Sequence, residues 1–197
     1  RETILDSVVS EGKFEKEIAG EHQFGHVFIK LEPLPRGTGI TFTNGLKEEI
    51  LPPDFIGAIE EGVKEATLSG VVLGYPLVDV QATLEDTRFR EGASSHLGYK
   101  IAAANALREG CEKANPVLLE PIMAIEVVVP NEFVGEVIGN LNARGGKVDM
   151  IDAKGMISII DAKVPLKPMF GYTTSLRSLT QGRGSFSMHF SHYDRAD

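Results

Sequence analysis

The most constraining feature of this sequence is the order of its elements after residue 118. Ile122 to Val129 is apolar and β-branched and stops at Pro130, as a strand does. Asn131 is expected to cap a helix running to about Ala143, with Phe133, Val137 and Leu141 at i, i+4 and i+8 and Gly145-Gly146 at its end. Lys147–Lys154 and Met156–Val164 read as two strands joined at Gly155. A helix is expected from about Pro168 to Thr180, and an alternating strand from Ser185 to Ser191. The order is βαββαβ, the split-βαβ or ferredoxin-like pattern. Its helices share one face of an antiparallel sheet, which leaves the other face for a partner.

The 118 residues before this block also mix strands and helices, so the whole chain is expected to be α+β with two domains. Val27–Leu31 and Thr38–Thr43 read as strands. Leu77–Leu84 alternates, with Val78, Val80, Ala82 and Leu84 inward and Asp79, Gln81 and Thr83 outward. Asp54, after Pro52-Pro53, is the expected cap of a helix carrying Phe55, Ile59, Val63 and Ala66 on its apolar face, with Gly70 ending it. A second helix spans about Ser95–Ala114, with Leu97, Ile101, Ala104, Leu107 and Cys111 as its apolar stripe. Pro116 and Pro121 argue against a continuous helix or a central strand at the seam, and the boundary is placed near residue 118. The two domains are therefore 1–118 and 119–197.

Charge narrows the function. The chain of 197 residues has a formal net charge of −8, unlike a generic nucleic-acid binder. Residues 1–118 carry 12 basic and 19 acidic side chains, whereas 119–197 carry 8 and 9, so the two units present different surfaces. No apolar run approaches the roughly 18 residues that span a bilayer, and no membrane partner is expected. The chain opens without Met and is expected to begin inside a longer protein or to follow a cleavage. One cysteine, Cys111, excludes an internal disulfide, and the expected compartment is cytoplasmic.

Reactive constellations are sparse. The pattern G-x-x-x-x-G-K-[ST] is absent, since Gly12-Lys13 precedes Phe14 and Gly146-Lys147 precedes Val148. No nucleoside triphosphate is therefore expected to be hydrolysed by this chain, and no catalytic or metal residue is assigned. Ser94-Ser95-His96 reads as a helix cap, His189 and His192 as strand positions, and Cys111 as a core thiol. Gln181-Gly182-Arg183-Gly184, with Arg177 a turn or so earlier, has two readings: a turn needing positive φ, or a backbone approach to phosphate with Arg bridging. Arg88 and Arg90 lie in a second polar loop with the same two readings.

Several long stretches resemble the C-terminal half of translational elongation factor G, over nearly the whole chain. They are Gln23-Phe24-Gly25-His26-Val27 continuing through Leu31-Glu32-Pro33-Leu34-Pro35-Arg36-Gly37, and Gly74-Tyr75-Pro76-Leu77-Val78-Asp79-Val80. Further on come Lys113-Ala114-Asn115-Pro116-Val117-Leu118-Leu119-Glu120-Pro121-Ile122-Met123, and Met169-Phe170-Gly171-Tyr172 through Arg177-Ser178-Leu179-Thr180-Gln181-Gly182-Arg183-Gly184. The resemblance implies that residues 1–118 are the family's domain IV, a βαβ fold like that of ribosomal protein S5, whose tip reaches the decoding site. It implies that residues 119–197 are domain V, ferredoxin-like and placed near the stalk base and the sarcin–ricin region. GTP and Mg²⁺ would belong to a missing upstream domain, and the fragment would be monomeric, with no cofactor of its own. The implied rRNA contacts are Gly20, Glu21, His22, Gln23, Arg88, Phe89 and Arg90 at the tip, and Arg177 and Arg183 in domain V. The implied role is GTP-dependent movement of tRNA and mRNA.

The tip departs from the family pattern. Ala19-Gly20-Glu21-His22 stands where a Gly-Gly-Arg-Gly-like turn is usual. Glu85-Asp86-Thr87-Arg88-Phe89-Arg90, leading to Gly92-Ala93-Ser94-Ser95, replaces a Tyr-Asp-Gly-Ser-Tyr-His stretch leading to Val-Asp-Ser-Ser. Glu21 would repel phosphate, while Arg90 still offers phosphate pairing. The alternative role is therefore a divergent paralogue acting in ribosome recycling or another ribosome-linked step.

Overall fold

The structure, a computed structural model, describes residues 1–196; Asp197, the last residue of the expected second domain, lies outside them. The chain forms two compact units, Arg1–Leu119 joined by Ala196, and Glu120–Arg195. Each carries its own sheet and its own apolar core.

In the first unit a four-stranded sheet has the order β2 (Val8–Ile18), β3 (Glu21–Pro33), β5 (Val80–Arg88), β4 (Ile40–Asn44). β2, β3 and β5 are antiparallel neighbours, and β4 runs parallel to β5 through the crossover helix α1 (Pro53–Leu68). Helix α2 (His96–Lys113) packs on β2, β3 and α1. Val27, Ile29, Leu31, Val80, Ala82 and Leu84 meet Ile59, Val63, Tyr99 and Leu107 in the core. Full burial of each such large aliphatic side chain contributes about 1.5–3 kcal/mol. A short strand, β1 (Glu2–Ile4), pairs with Pro116–Leu118 at the start of β6 (Pro116–Pro130).

Three local expectations change here. Asp54 does not cap α1: Pro52 holds that position without a side-chain bond, Pro53 opens the helix, and Asp54 lies in the first turn near the positive helix end. Asp79 is buried rather than outward. Its φ is +60°, it precedes β5, and it accepts the Gly39 N–H at 2.9 Å with Arg36 3.8 Å away. The stripe of α2 is rotated: Leu97 is exposed, and the buried face is Gly98, Tyr99, Ala102, Ala103, Ala106, Leu107, Gly110 and Cys111. Small residues, not large ones, let this helix approach the sheet. The strands β1 and β2 fall where the sequence shows no long apolar run.

In the second unit β6, α3 (Val134–Ala143), β7 (Lys147–Lys154), β8 (Ile157–Pro165), α4 (Tyr172–Leu179) and β9 (Ser185–Arg195) follow the expected βαββαβ order. β6 pairs with β9 on one side and antiparallel with β8 on the other, and β7 completes the sheet beside β8. Phe133, Val137 and Leu141 are buried against Ile125, Val127, Val129 and Ile160. Asn131 opens a short 3-10 turn instead of capping α3. Its amide bridges Gly155 O (2.9 Å) and Ser158 Oγ (2.6 Å), tying the helix entry to the β7–β8 turn. The two seam prolines sit inside the single strand β6. Pro116 is its first residue, and Pro121 lies between the Leu118 end of the β1 ladder and the Ile122 end of the β8 ladder.

Candidate functional site

The hairpin of β2 and β3 outruns the core beneath it. Ile18 pairs with Glu21, so the loop is the two residues Ala19 and Gly20, with φ of +51° and +81°. Two positive-φ residues make the type I′ geometry that suits the twist of a hairpin. A methyl group at Gly20 would meet nothing within 4 Å, so glycine is needed there for its backbone freedom and not for space. From Glu15 to His22 every residue is exposed. The pairs Lys16–Gln23, Glu17–His22 and Ile18–Glu21, with their turn, thus form a largely bare two-stranded arm about 10 Å long. Glu21 and His22 are at its end, and Gln23 opposes Lys16 at its base.

Beside that base lies the loop that follows β5. A bulge between Phe28 and Ile29 of β3 shifts the β5 register past Glu85. It reverses the inward parity of the strand: Leu84 is buried, and so is Thr87, whose hydroxyl donates to His26 O at 2.7 Å. Asp86 and Arg88 are thereby turned outward, as bulges near functional edges do. The loop is then sewn down. Arg90 N–H donates to Ser94 Oγ (2.8 Å), Tyr99 OH donates to Arg88 O (2.6 Å), and Ser95 N–H donates to Phe24 O (3.1 Å). Of the two serines expected to cap α2, Ser94 and Ser95, it is Ser95 that does so, accepting from Gly98 N–H at 2.9 Å.

The arginines of this loop are already engaged. Arg88 bonds Asp86 at 2.6 Å and lies 5.1 Å from the Phe28 ring centroid. That bond, with the Thr87 N–H, holds the Asp86 carboxyl below its usual range. Arg90 pairs with Glu15 across the hairpin base, and its guanidinium sits 4.3 Å from the Phe24 ring centroid. Phe89 is half-exposed against Phe55, with centroids 6.3 Å apart. Arg88, Phe89 and Arg90 therefore gather at the base of the arm. Gly20, Glu21 and His22 lie beyond it, with Gly20 about 13 Å along the strand from Phe24. Exposed ion pairs of this kind exchange readily for an external phosphate, since each is worth at most about 1 kcal/mol. The sequence gives no sign of the Glu15 partnership, which depends on the hairpin register.

In the second unit Arg177 is exposed on α4 and has no ion pair among the described residues. Arg183 pairs with Glu132 and stacks 5.0 Å from the Phe133 ring centroid. The intervening loop is a closed turn: Gly182 N–H donates to Arg177 O (2.8 Å), and Gly184 N–H to Thr180 Oγ1 (2.8 Å). Gln181 and Gly182 both have positive φ, so the turn reading of this loop accounts for its glycine.

The remaining candidates have structural roles. His96 meets Glu61 at 3.1 Å, and His192 bonds Ser191 at 2.9 Å. Cys111 is fully buried, and burial, with the Glu2 carboxylate second, pushes its thiol up to about 12. No group of three or more His, Cys, Asp or Glu side chains among the described residues could hold a metal ion. Gly12-Lys13 lies inside β2, and Gly146-Lys147 enters β7, so neither pair is a phosphate loop. No helix among the described residues is long and apolar enough to cross a membrane.

Comparison with known proteins agrees over the full length. Residues 1–115 match the family model of elongation factor G, domain IV, and residues 117–197 match that of the elongation factor G C-terminus. The chain is 48% identical over 194 residues to elongation factor G of Aquifex pyrophilus, covering 98% of this chain and 28% of that relative. A crystal structure of a protein from Thermus thermophilus superposes with a TM-score of 0.90 at 36% identity, covering 100% of this chain and 29% of the other. The chain thus spans under a third of the length of these relatives. A domain IV with its projecting hairpin, followed by a βαββαβ C-terminal domain, both matched in sequence and in fold, places this chain in the elongation factor G family.

Proposed function

We propose that this chain is the ribosome-contacting part of a translational GTPase that promotes GTP-dependent movement of tRNA and mRNA. The observation that carries this reading is the bare β2–β3 arm on a chain of this family: an exposed, stiffly based projection with no reactive group. Residues 1–118 act as domain IV, the arm reaching towards the decoding region through Gly20, Glu21, His22 and Gln23, with Arg88, Phe89 and Arg90 contacting rRNA at its base. Residues 119–197 act as domain V near the stalk base and sarcin–ricin region, through Arg177 and Arg183. The work of the arm is positional. It occupies space that tRNA leaves, and its base is fixed by the hydrogen bonds that Ser94, Tyr99 and Ser95 make to the backbone of the adjoining loop and strand.

The residues of this chain do not fit a nucleotide or its Mg²⁺, since one Gly-Lys pair lies inside a strand and the other leads into one. GTP binding and hydrolysis are assigned to the part of the family's length that this chain does not span. The setting is the cytoplasm, where ribosomes work. Nothing in the fold favours recycling over translocation. The test is co-sedimentation of the intact protein with ribosomes and a non-hydrolysable GTP analogue, followed by a translocation assay. Binding with tRNA movement supports the reading, and a protein that sediments apart from ribosomes at low salt overturns it.

A further inference from the structure

Phe170 is 95% exposed, more than any other large apolar side chain among the described residues. Its backbone is nonetheless held on both sides. Met169 and Tyr172 are buried, Met169 N–H donates to Leu166 O at 3.0 Å, and Gly171, with φ of +79°, turns the chain into α4. Arg144 donates to Pro168 O at 2.5 Å and lies 3.5 Å from Phe170 O, while its guanidinium covers the Tyr172 ring at 5.1 Å. An unsupported loop would let an aromatic ring fold back onto the surface. This one presents it outward.

The charge along this stretch of chain is one-sided. Between Asp161 and Asp194 the sequence has no acidic residue, although the chain as a whole is at −8. The four cations in that interval are Lys163, Lys167, Arg177 and Arg183. Lys163 is bonded to Asp149 at 2.8 Å, and Arg183 pairs with Glu132. Lys167 and Arg177 are exposed and have no ion pair among the described residues. Lys167 stands three residues before Phe170, and Arg177 shares the exposed side of α4 with Thr173, Thr174 and Ser178. An outward ring with two unpaired, exposed cations within seven residues of it along the chain has the composition of a platform for a single-stranded polyanion.

We infer that Phe170 is an RNA-stacking anchor: an unpaired base of ribosomal RNA lies on its ring while Lys167 and Arg177 take flanking phosphates. The inference rests on the ribosome-binding reading above and names the chemistry of one contact within it. A protein pocket receiving Phe170 as a plain apolar plug is the competing occupant, and the two differ in what they require of the side chain. Stacking needs a flat π-face, whereas a plug needs only apolar volume.

The experiment measures affinity of the intact protein for purified ribosomes, as a function of salt, for wild type and for Phe170→Tyr, Phe170→Leu, Lys167→Gln and Arg177→Gln. Phe170→Tyr is expected to bind within about two-fold of wild type, and Phe170→Leu about 5- to 100-fold more weakly with an unchanged salt slope. Lys167→Gln and Arg177→Gln are each expected to reduce the salt slope by about one. Since the ring is 95% exposed, every Phe170 variant should keep the wild-type unfolding midpoint. Phe170→Leu binding as tightly as wild type, or salt slopes unmoved by both cation variants, overturns the inference alone. A wild-type protein that does not bind ribosomes overturns the functional reading and this contact with it.

Discussion

Gly25 on β3 and Gly98 on α2 meet backbone to backbone. A methyl group built on Gly25 would stand 2.2 Å from the Gly98 carbonyl carbon, and one built on Gly98 would stand 2.2 Å from that of Phe24. Gly12 on β2 is as close to the same helix, 2.0 Å from Ala102 O. These contacts seat α2 on the base of the arm, where the obstructing atoms are backbone and cannot rotate away. Gly25→Ala and Gly98→Ala should each destabilise the first unit by about 1–3 kcal/mol or more. Gly57→Ala, on the exposed face of α1 with nothing within 4 Å, should instead stabilise by about 0.5–1 kcal/mol. Urea unfolding followed by circular dichroism distinguishes the two signs.

The pairing of Arg90 with Glu15, backed by the Phe24 ring, braces the loop against the hairpin. A double-mutant cycle with Arg90→Gln and Glu15→Gln should give a coupling of about 0.2–1 kcal/mol at low salt, shrinking in about 0.5 M salt. Hydrogen exchange should quicken at Glu15–Phe24 in either single variant. An unaltered exchange pattern would show that the brace does not stiffen the arm.

Glu2 is fully buried, and its carboxylate accepts N–H groups from Val72 (3.0 Å), Leu73 (2.9 Å) and Tyr75 (3.4 Å). Those three donors have their partner only while the carboxylate stays in place. Glu2→Gln turns an amide NH₂ against them and should cost about 1–3 kcal/mol. Faster exchange of the Val72, Leu73 and Tyr75 amides is the local signature.

Alkali should destabilise both units. Burial raises the Cys111 thiol from 9.0 to about 12 and the Tyr172 phenol from 10.0 to about 12. Each group keeps its proton in the folded chain after the unfolded chain has lost it. Stability from these two groups is full below about pH 9 and falls as pH rises towards 12. Denaturant midpoints recorded from about pH 8 to about pH 11.5 should decline, and Cys111→Ala should remove part of the slope. The native thiol should also resist alkylation at about pH 8 and react only in denaturant.

The second unit was legible because its elements carry their own signals: Phe133, Val137 and Leu141 at helical spacing, and Gly155 between two strands. The first unit was less so. Residues 8–18 interleave Lys and Glu, and the buried inward positions of β2 are Ser10 and Gly12, so no apolar alternation marks this strand. Leu97 and Ile101 drew the helix stripe to the wrong side, since the real contact face is made of Gly98, Ala102, Ala106 and Gly110, residues that mark closeness and not hydrophobicity. The outward turn of Arg88 follows from a bulge, which a two-residue period does not encode. The partners of Arg90 and Arg183, Glu15 and Glu132, are distant in sequence and appear only once register and turn are fixed.

The central claim is that the arm reaches the decoding region of the ribosome. An iron–chelate tether at position 21, introduced as Glu21→Cys in a Cys111→Ala background, would generate hydroxyl radicals from the hairpin tip in the ribosome-bound protein. The account expects strand scission confined to small-subunit rRNA around the decoding site. Scission elsewhere, or none from a protein that does co-sediment with ribosomes, would contradict it.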